Sequence, residues 1–183
     1  MQHGKSLGND VREKTGINAA RCYQCGKCSA GCPLAGDMDF TSNTVMRMLQ
    51  VEDDKTDTQL LQSQAIWLCV SCEMCLSRCP MEIDIPQMMD YLRQRSLKEG
   101  LQNKSAGRDI IPFHRSFLDM IRLAGRSYEI GLVADYKLRT KNILQDLMLA
   151  PQLLFHGKLP LIPETVKDKK SIKNMFKKAK KTQ

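Results

Sequence analysis

The chain has 183 residues, a formal net charge of +8, 8 cysteines and 42% hydrophobic but only 5% aromatic residues. That length suits one or two small domains with a modest core. No apolar stretch reaches the ~18 residues a membrane-spanning helix needs, and no aromatic or motif context supports nucleic-acid binding.

Residues 1–20 are polar, contain Gly4, Gly8 and Gly16, and read as an N-terminal arm with at most a short helix. His3, Lys5, Asp10, Arg12 and Glu13 interrupt any apolar run, so no secretory leader is expected and a reducing, cytoplasmic setting is. A first cysteine loop covers 21–33. Thr41 or Ser42 can cap a helix whose Val45, Met48 and Leu49 follow at helical spacing. Residues 50–56 are acidic and polar, as a loop would be. Asp57 or Thr58 can cap a second helix with Leu60, Leu61, Ala65 and Leu68 as its buried stripe.

A second cysteine loop covers 69–80. Pro86 stands where a helix should begin and Gly100 where it should end; Met88, Tyr91, Leu92 and Arg95 share one face between them. Residues 101–112 read as a polar connection ending at Pro112. Phe117, Met120, Ile121 and Ala124 step at helical spacing up to Gly125, and another apolar helix is expected from about Ile143 to Leu149. Pro160 and Pro163 end the compact part. The charge is concentrated beyond it: residues 167–183 hold eight lysines and one aspartate, leaving +1 for residues 1–166. That run reads as a solvated, mobile basic tail, 166–183, with docking to an acidic surface as the alternative. Strand signals are few, so an all-α fold is expected. The 11 methionines are ordinary fillers of irregular cores.

All eight cysteines fall in two copies of one spacing: Cys22, Cys25, Cys28, Cys32 with Pro33, and Cys69, Cys72, Cys75, Cys79 with Pro80. This C-x2-C-x2-C-x3-C-P run resembles that of bacterial ferredoxins, whose cysteine thiolates hold [4Fe–4S] clusters. Three cysteines at intervals of three let one loop wrap a corner of a cubane, each thiolate meeting a different iron. Disulfides would need an oxidising compartment. Zinc sites seldom need a third cysteine at the same interval plus a Cys-Pro. A catalytic redox C-x-x-C leaves most of the eight unexplained. Two runs with no cysteine spare predict two clusters and electron transfer. In two-cluster ferredoxins the fourth cysteine of each run ligates the other cluster. The resemblance therefore implies Cys22, Cys25, Cys28 and Cys79 on one cluster, and Cys69, Cys72, Cys75 and Cys32 on the other. Each proline is expected to suit the first turn of a departing helix.

Arg21, Lys27 and Arg78 adjoin the cysteines, where positive charge would raise a cluster's potential; reaching solvent is the equal alternative. Trp67, with Ile66, Leu68 and Val70, is expected to keep water off a cluster. His114 and His156 lack ligand spacing. No dinucleotide fingerprint, phosphate loop or spare cysteine nucleophile is present, so no catalytic residue is expected.

The strings CYQCGKCSAGCP (22–33), VMRMLQ (45–50), IWLCVSCEMCLSRCP (66–80), FHRSFLD (113–119) and GRSYEIGL (125–132) resemble the C subunit of heterodisulfide reductase. That resemblance implies an α-helical ferredoxin with two [4Fe–4S] clusters over 21–100 and a helical docking extension over 101–165. It implies a relay from a flavin-containing A subunit to a CCG-motif B subunit that cleaves a thiol disulfide, that of coenzyme M and coenzyme B in methanogens. A hydrogenase or formate dehydrogenase module could join through the A subunit. From the residues alone two other readings stay open. One is an iron–sulfur subunit of an anaerobic glycerol-3-phosphate or fumarate/succinate oxidoreductase; the other is a zinc-stabilised interaction module.

Overall fold

A computed structural model of the chain describes residues 6–142 and 165–182. Every regular element among the described residues is helical, so the all-α expectation is met. They fall into two compact units, residues 1–106 and 107–183. The helix expected near Ile143–Leu149, together with Pro160, Pro163, His3 and His156, lies outside the described residues.

The first unit begins with α1 (Leu7–Thr15), in the segment the sequence suggested as an arm. Ser6 caps it by accepting the Asn9 N–H at 3.3 Å, and Leu7 and Val11 are buried. It packs on α7 (Ile85–Glu99) and α3 (Ser42–Val51). Gly8 allows the second contact, because a Cβ there would collide with the Leu49 carbonyl oxygen. On α7, the Tyr91 hydroxyl donates to Asp10 and Arg95 lies 3.3 Å from the same carboxylate. Asp57 holds the start of α1 by accepting the Leu7 N–H at 2.8 Å. An N-terminal segment that looks polar in sequence is thus folded by one apolar edge and three polar ties to distant residues.

Val45, Met46 and Leu49 of α3, Leu60 of α4 (Asp54–Leu61) and Met88, Met89 and Leu92 of α7 form a closely buried core. Here α4 begins a turn earlier than expected. Asp53, not Asp57 or Thr58, is its cap and accepts the Thr56 N–H at 3.0 Å. The expected single stripe from Leu60 to Leu68 is broken into α4 and the short α5 (Ala65–Leu68). The break is tertiary in origin: the Asp39 carboxylate, from the far side of the first cysteine run, accepts the N–H groups of Gln64 and Ala65 at 2.7 and 2.8 Å. Asp84 caps α7, which ends at Gly100. The segment after it is not all connection, since a short α8 (Lys104–Arg108) forms there.

In the second unit, α9 (Ile110–Ala124) starts two residues before Pro112. Proline is tolerated in a first turn because its missing N–H has no intrahelical partner to lose. A second helix, α10 (Glu129–Thr140), pairs with it through the Asp119–Arg139 contact at 2.8 Å and an edge-on stack of Phe113 and Tyr136 at 5.8 Å. The lysine-rich segment, read as a mobile tail, is helical over Lys169–Thr182 (α11) and packs on α9. Asp168 caps it, accepting the Ser171 N–H at 3.0 Å. Among the described residues no helix is long and apolar enough to cross a membrane.

Candidate functional site: two cysteine loops built alike

Both cysteine runs adopt the same local structure, position for position. A short 3-10 turn (Ala19–Arg21) precedes Cys22, and α5 precedes Cys69. The residue before each second cysteine, Gln24 or Ser71, has positive φ (60° and 51°), as does the residue after it, Gly26 or Glu73 (75° and 62°). Only one of these four is glycine, and left-handed backbone costs other residues roughly 1–2 kcal/mol. Alternation of handedness turns successive N–H groups toward one concavity, the backbone arrangement found at phosphate and Fe–S sites. After each turn a four-residue helix carries the third cysteine: Cys28 in α2 (Lys27–Ala30) and Cys75 in α6 (Met74–Ser77). These two helices pack on each other.

The fourth cysteines are also equivalent. Cys32 donates its N–H to Ser29 and Cys79 to Leu76; the Cys32 carbonyl accepts from Ala35 and the Cys79 carbonyl from Glu82. Pro33 and Pro80 therefore occupy the second position of tight turns, where a fixed φ is favourable. The helices follow only at Ser42 and Ile85, so neither proline opens a helix.

The equivalence extends to a feature hidden in the sequence. The Gln50 amide, at the end of α3, donates to the carbonyls of Ala19 and Cys22 at 2.9 and 2.7 Å. The Arg93 guanidinium, on α7, donates to the carbonyls of Ile66 and Cys69. Ala19 and Ile66 each precede the first cysteine of their run by three. Each loop is thus pinned at the same two carbonyls by the helix that follows it. The cysteine spacing marks neither residue. They stand 28 and 24 positions after their cysteines, in segments without sequence similarity, and their only signal is a polar residue on a helix that should face inward.

The cysteines of the two runs intermingle. Cys32 lines one cavity with Cys69, Cys72 and Cys75; apart from Ser42 its other walls are apolar, with Leu34, Met38, Val70, Met74 and Ile85 between Pro33 and Pro86. The space measures about 380 Å³ including the part open to solvent. The exposed Tyr23 phenol is shifted up by desolvation and then by the nearby Cys25, Cys79 and Cys22 thiols, which belong to both runs. Burial also pushes up Cys28, and pushes Cys75 to about 11. Free thiols there are protonated near neutrality and would release protons on binding metal. Among the described residues, no three cysteine, histidine or carboxylate side chains converge closely enough for one metal ion. A zinc site needs four donors about 2.0–2.3 Å from one point.

The neighbouring residues divide. Ile66 and Trp67 are buried, but neither lines the cavity; Val70 does. Arg21 and Lys27 are exposed. Arg78 lies flat over Gly31, where a Cβ would come within 2.6 Å of its Nε. His114 stacks beside Phe113 at 6.3 Å, far along the chain from either cysteine loop.

Residues 18–83 match the family of 4Fe-4S dicluster domains. Over 161 residues the chain is 27% identical to the C subunit of the ferredoxin/F420H2-dependent CoB-CoM heterodisulfide reductase of Methanosarcina acetivorans, covering 87% of this chain and 83% of that one. This chain is thus similar over most of its length to a heterodisulfide reductase C subunit. Its counterpart in the ferredoxin:CoB-CoM heterodisulfide reductase of Methanosarcina mazei is 26% identical over 156 residues, 85% of this chain and 80% of the other. Against a second such protein of Methanosarcina acetivorans identity is 32% over 92 residues, and against that of Methanopyrus kandleri 28% over 93. Those matches cover 36% and 47% of the relatives, so the chain spans about a third to a half of them.

Proposed function

We propose that this chain is the electron-relay subunit of a heterodisulfide reductase-type complex and that it holds two [4Fe–4S] clusters. Cys22, Cys25, Cys28 and Cys79 bind the first; Cys69, Cys72, Cys75 and Cys32 bind the second. The supporting observation is the cavity shared by Cys32 with all three leading cysteines of the other run. Such clusters, when bound, supply one-electron redox centres.

The chain's own residues do the rest. Two alike loops present thiolates and inward N–H groups. The apolar walls from Leu34, Met38, Ile85 and Pro86 limit water at the second centre. The packing of α2 on α6 keeps the two centres adjacent, as electron passage requires. No residue here is assigned a catalytic role. The electrons arrive from a flavin-bearing A subunit and leave to a CCG-motif B subunit, where a thiol disulfide is reduced. Phe113, Phe117 and Leu118 on α9, exposed by 39–51%, give a partner protein an apolar surface to cover.

Anaerobic purification with metal and sulfide analysis tests the cofactor reading. About eight irons and eight inorganic sulfides per chain are expected from two cubanes; zinc without sulfide refutes it. Co-purification of a CCG-motif protein with disulfide-reducing activity supports the assembly, whereas a dehydrogenase flavoprotein in its place refutes it. Cys32→Ser should alter the EPR signal of the cluster built on Cys69, Cys72 and Cys75. A change confined to the other cluster would show the ligation is not crossed.

A further inference from the structure

The two loops are copies, yet their carbonyl clamps differ in charge: Gln50 is neutral and Arg93 is a cation. We propose that Arg93 makes the centre built on Cys69, Cys72 and Cys75 the one of higher reduction potential, so that a single shared electron rests there rather than on the centre built on Cys22, Cys25 and Cys28. This rests on the two-cluster reading above. Sharing moves one electron between the centres, with no bond or proton changing place.

The argument is electrostatic. Reduction adds a negative charge to a cluster that its thiolates already make anionic, so nearby positive charge favours the reduced form. Arg93 is a cation held by hydrogen bonds to the second loop's own backbone. Its Nε and one terminal nitrogen donate to the Ile66 and Cys69 carbonyls, and its side chain is only 14% exposed. The other terminal nitrogen meets Asp90 at 2.8 Å, but that carboxylate is 53% exposed and on the solvent side, where water screens it. The corresponding charges at the first loop are weaker. Arg21 and Lys27 are exposed, Arg78 lies over Gly31 but is likewise exposed and makes no hydrogen bond to the loop's carbonyls, and Arg47 donates to the Gln50 side-chain oxygen from the surface at 3.4 Å. Glu73 in the second loop is likewise exposed. In a medium of effective dielectric about 20, a unit charge within about 10 Å changes a one-electron equilibrium by more than tenfold.

Arg93 is therefore a positioning and field residue, not a ligand, and its pairing with Gln50 supplies the control. Three variants of the full chain, purified anaerobically with iron and sulfide counted, would be titrated by EPR-monitored potentiometry. Arg93→Gln installs the residue the first loop already uses. It should lower the higher midpoint by about tenfold in the electron-sharing constant, 59 mV for one electron, and leave the lower one in place. Arg93→Lys keeps the charge and should keep the midpoint. Gln50→Arg should raise the other midpoint by a similar amount. If Arg93→Gln lowers iron content, the Lys and Gln50→Arg variants still decide. The proposal is overturned if fully loaded Arg93→Gln leaves both midpoints unchanged, if Arg93→Lys falls as far as Gln, or if Gln50→Arg moves the same midpoint as Arg93→Gln. Absence of sulfide in the wild-type chain would instead sink the cluster reading beneath it.

Discussion

Replacing Gln50 by alanine tests whether the carbonyl clamp holds the first cysteine loop in shape. The amide makes two neutral hydrogen bonds, at 2.9 Å to Ala19 and 2.7 Å to Cys22. Each contributes about 1 kcal/mol net in a folded protein. Gln50 and Cys22 are half-buried, so water can reach part of the vacated space and limit the penalty. The expected loss is about 2 kcal/mol, and 1.4 kcal/mol is tenfold, so local opening of this loop becomes about thirtyfold more frequent. Local opening exposes a cluster to an iron chelator. Under anaerobic conditions the visible absorbance of the variant should therefore bleach in two phases, one about thirtyfold faster than wild type and one unchanged. Gln50→Glu should bleach at least as fast, because its carboxylate would face two carbonyl oxygens without a donor. Bleaching of Gln50→Ala at the wild-type rate would refute the clamp.

Gly8→Ala should destabilise the first unit by roughly 1–3 kcal/mol, as overpacking does, because the new methyl meets the Leu49 carbonyl and not a yielding side chain; a urea midpoint unchanged from wild type would contradict it. Asp39→Ala removes both acceptors at the start of α5 and should cost about 1–2 kcal/mol, as loss of a helix cap does; hydrogen exchange at the Gln64 and Ala65 amides should rise selectively. Asp57 titrates above its ordinary value, chiefly because burial opposes its charge although it accepts the Leu7 N–H. A raised folded-state value means that its contribution is fully present below the ordinary carboxylate value and is lost as pH rises through the folded one. Asp57→Asn should then be more stable than wild type at pH 7, with the gap closing toward the ordinary carboxylate range; a constant gap across that interval would argue against the burial effect.

Much of the site can be read along the chain. The spacing of the cysteines predicts both loops and the type of group they suit, since ligand spacing is a local constraint that one turn of backbone satisfies. The main helical stripes, with Val45, Met48, Leu49, Met88 and Leu92, follow from periodicity for the same local reason. Helix starts set by distant groups are less visible. Asp39 starts α5 from 25 residues away, and Asp57 holds α1 from 50 residues away. The polar segment at residues 7–15 conceals a packed helix because only Leu7, Gly8 and Val11 need to face inward.

By itself, the sequence determines an all-helical chain with eight cysteines in two equal runs of iron–sulfur spacing. That much needs only intervals of two and three residues and a 3.6-residue period. Only the tertiary structure decides what stands around those runs: Cys32 beside the opposite trio, Gln50 on one loop and Arg93 on the other. Carbonyls left over by a tight cysteine loop must be satisfied from somewhere. Which helix supplies the donor, and whether it carries charge, depends on packing that no local spacing encodes.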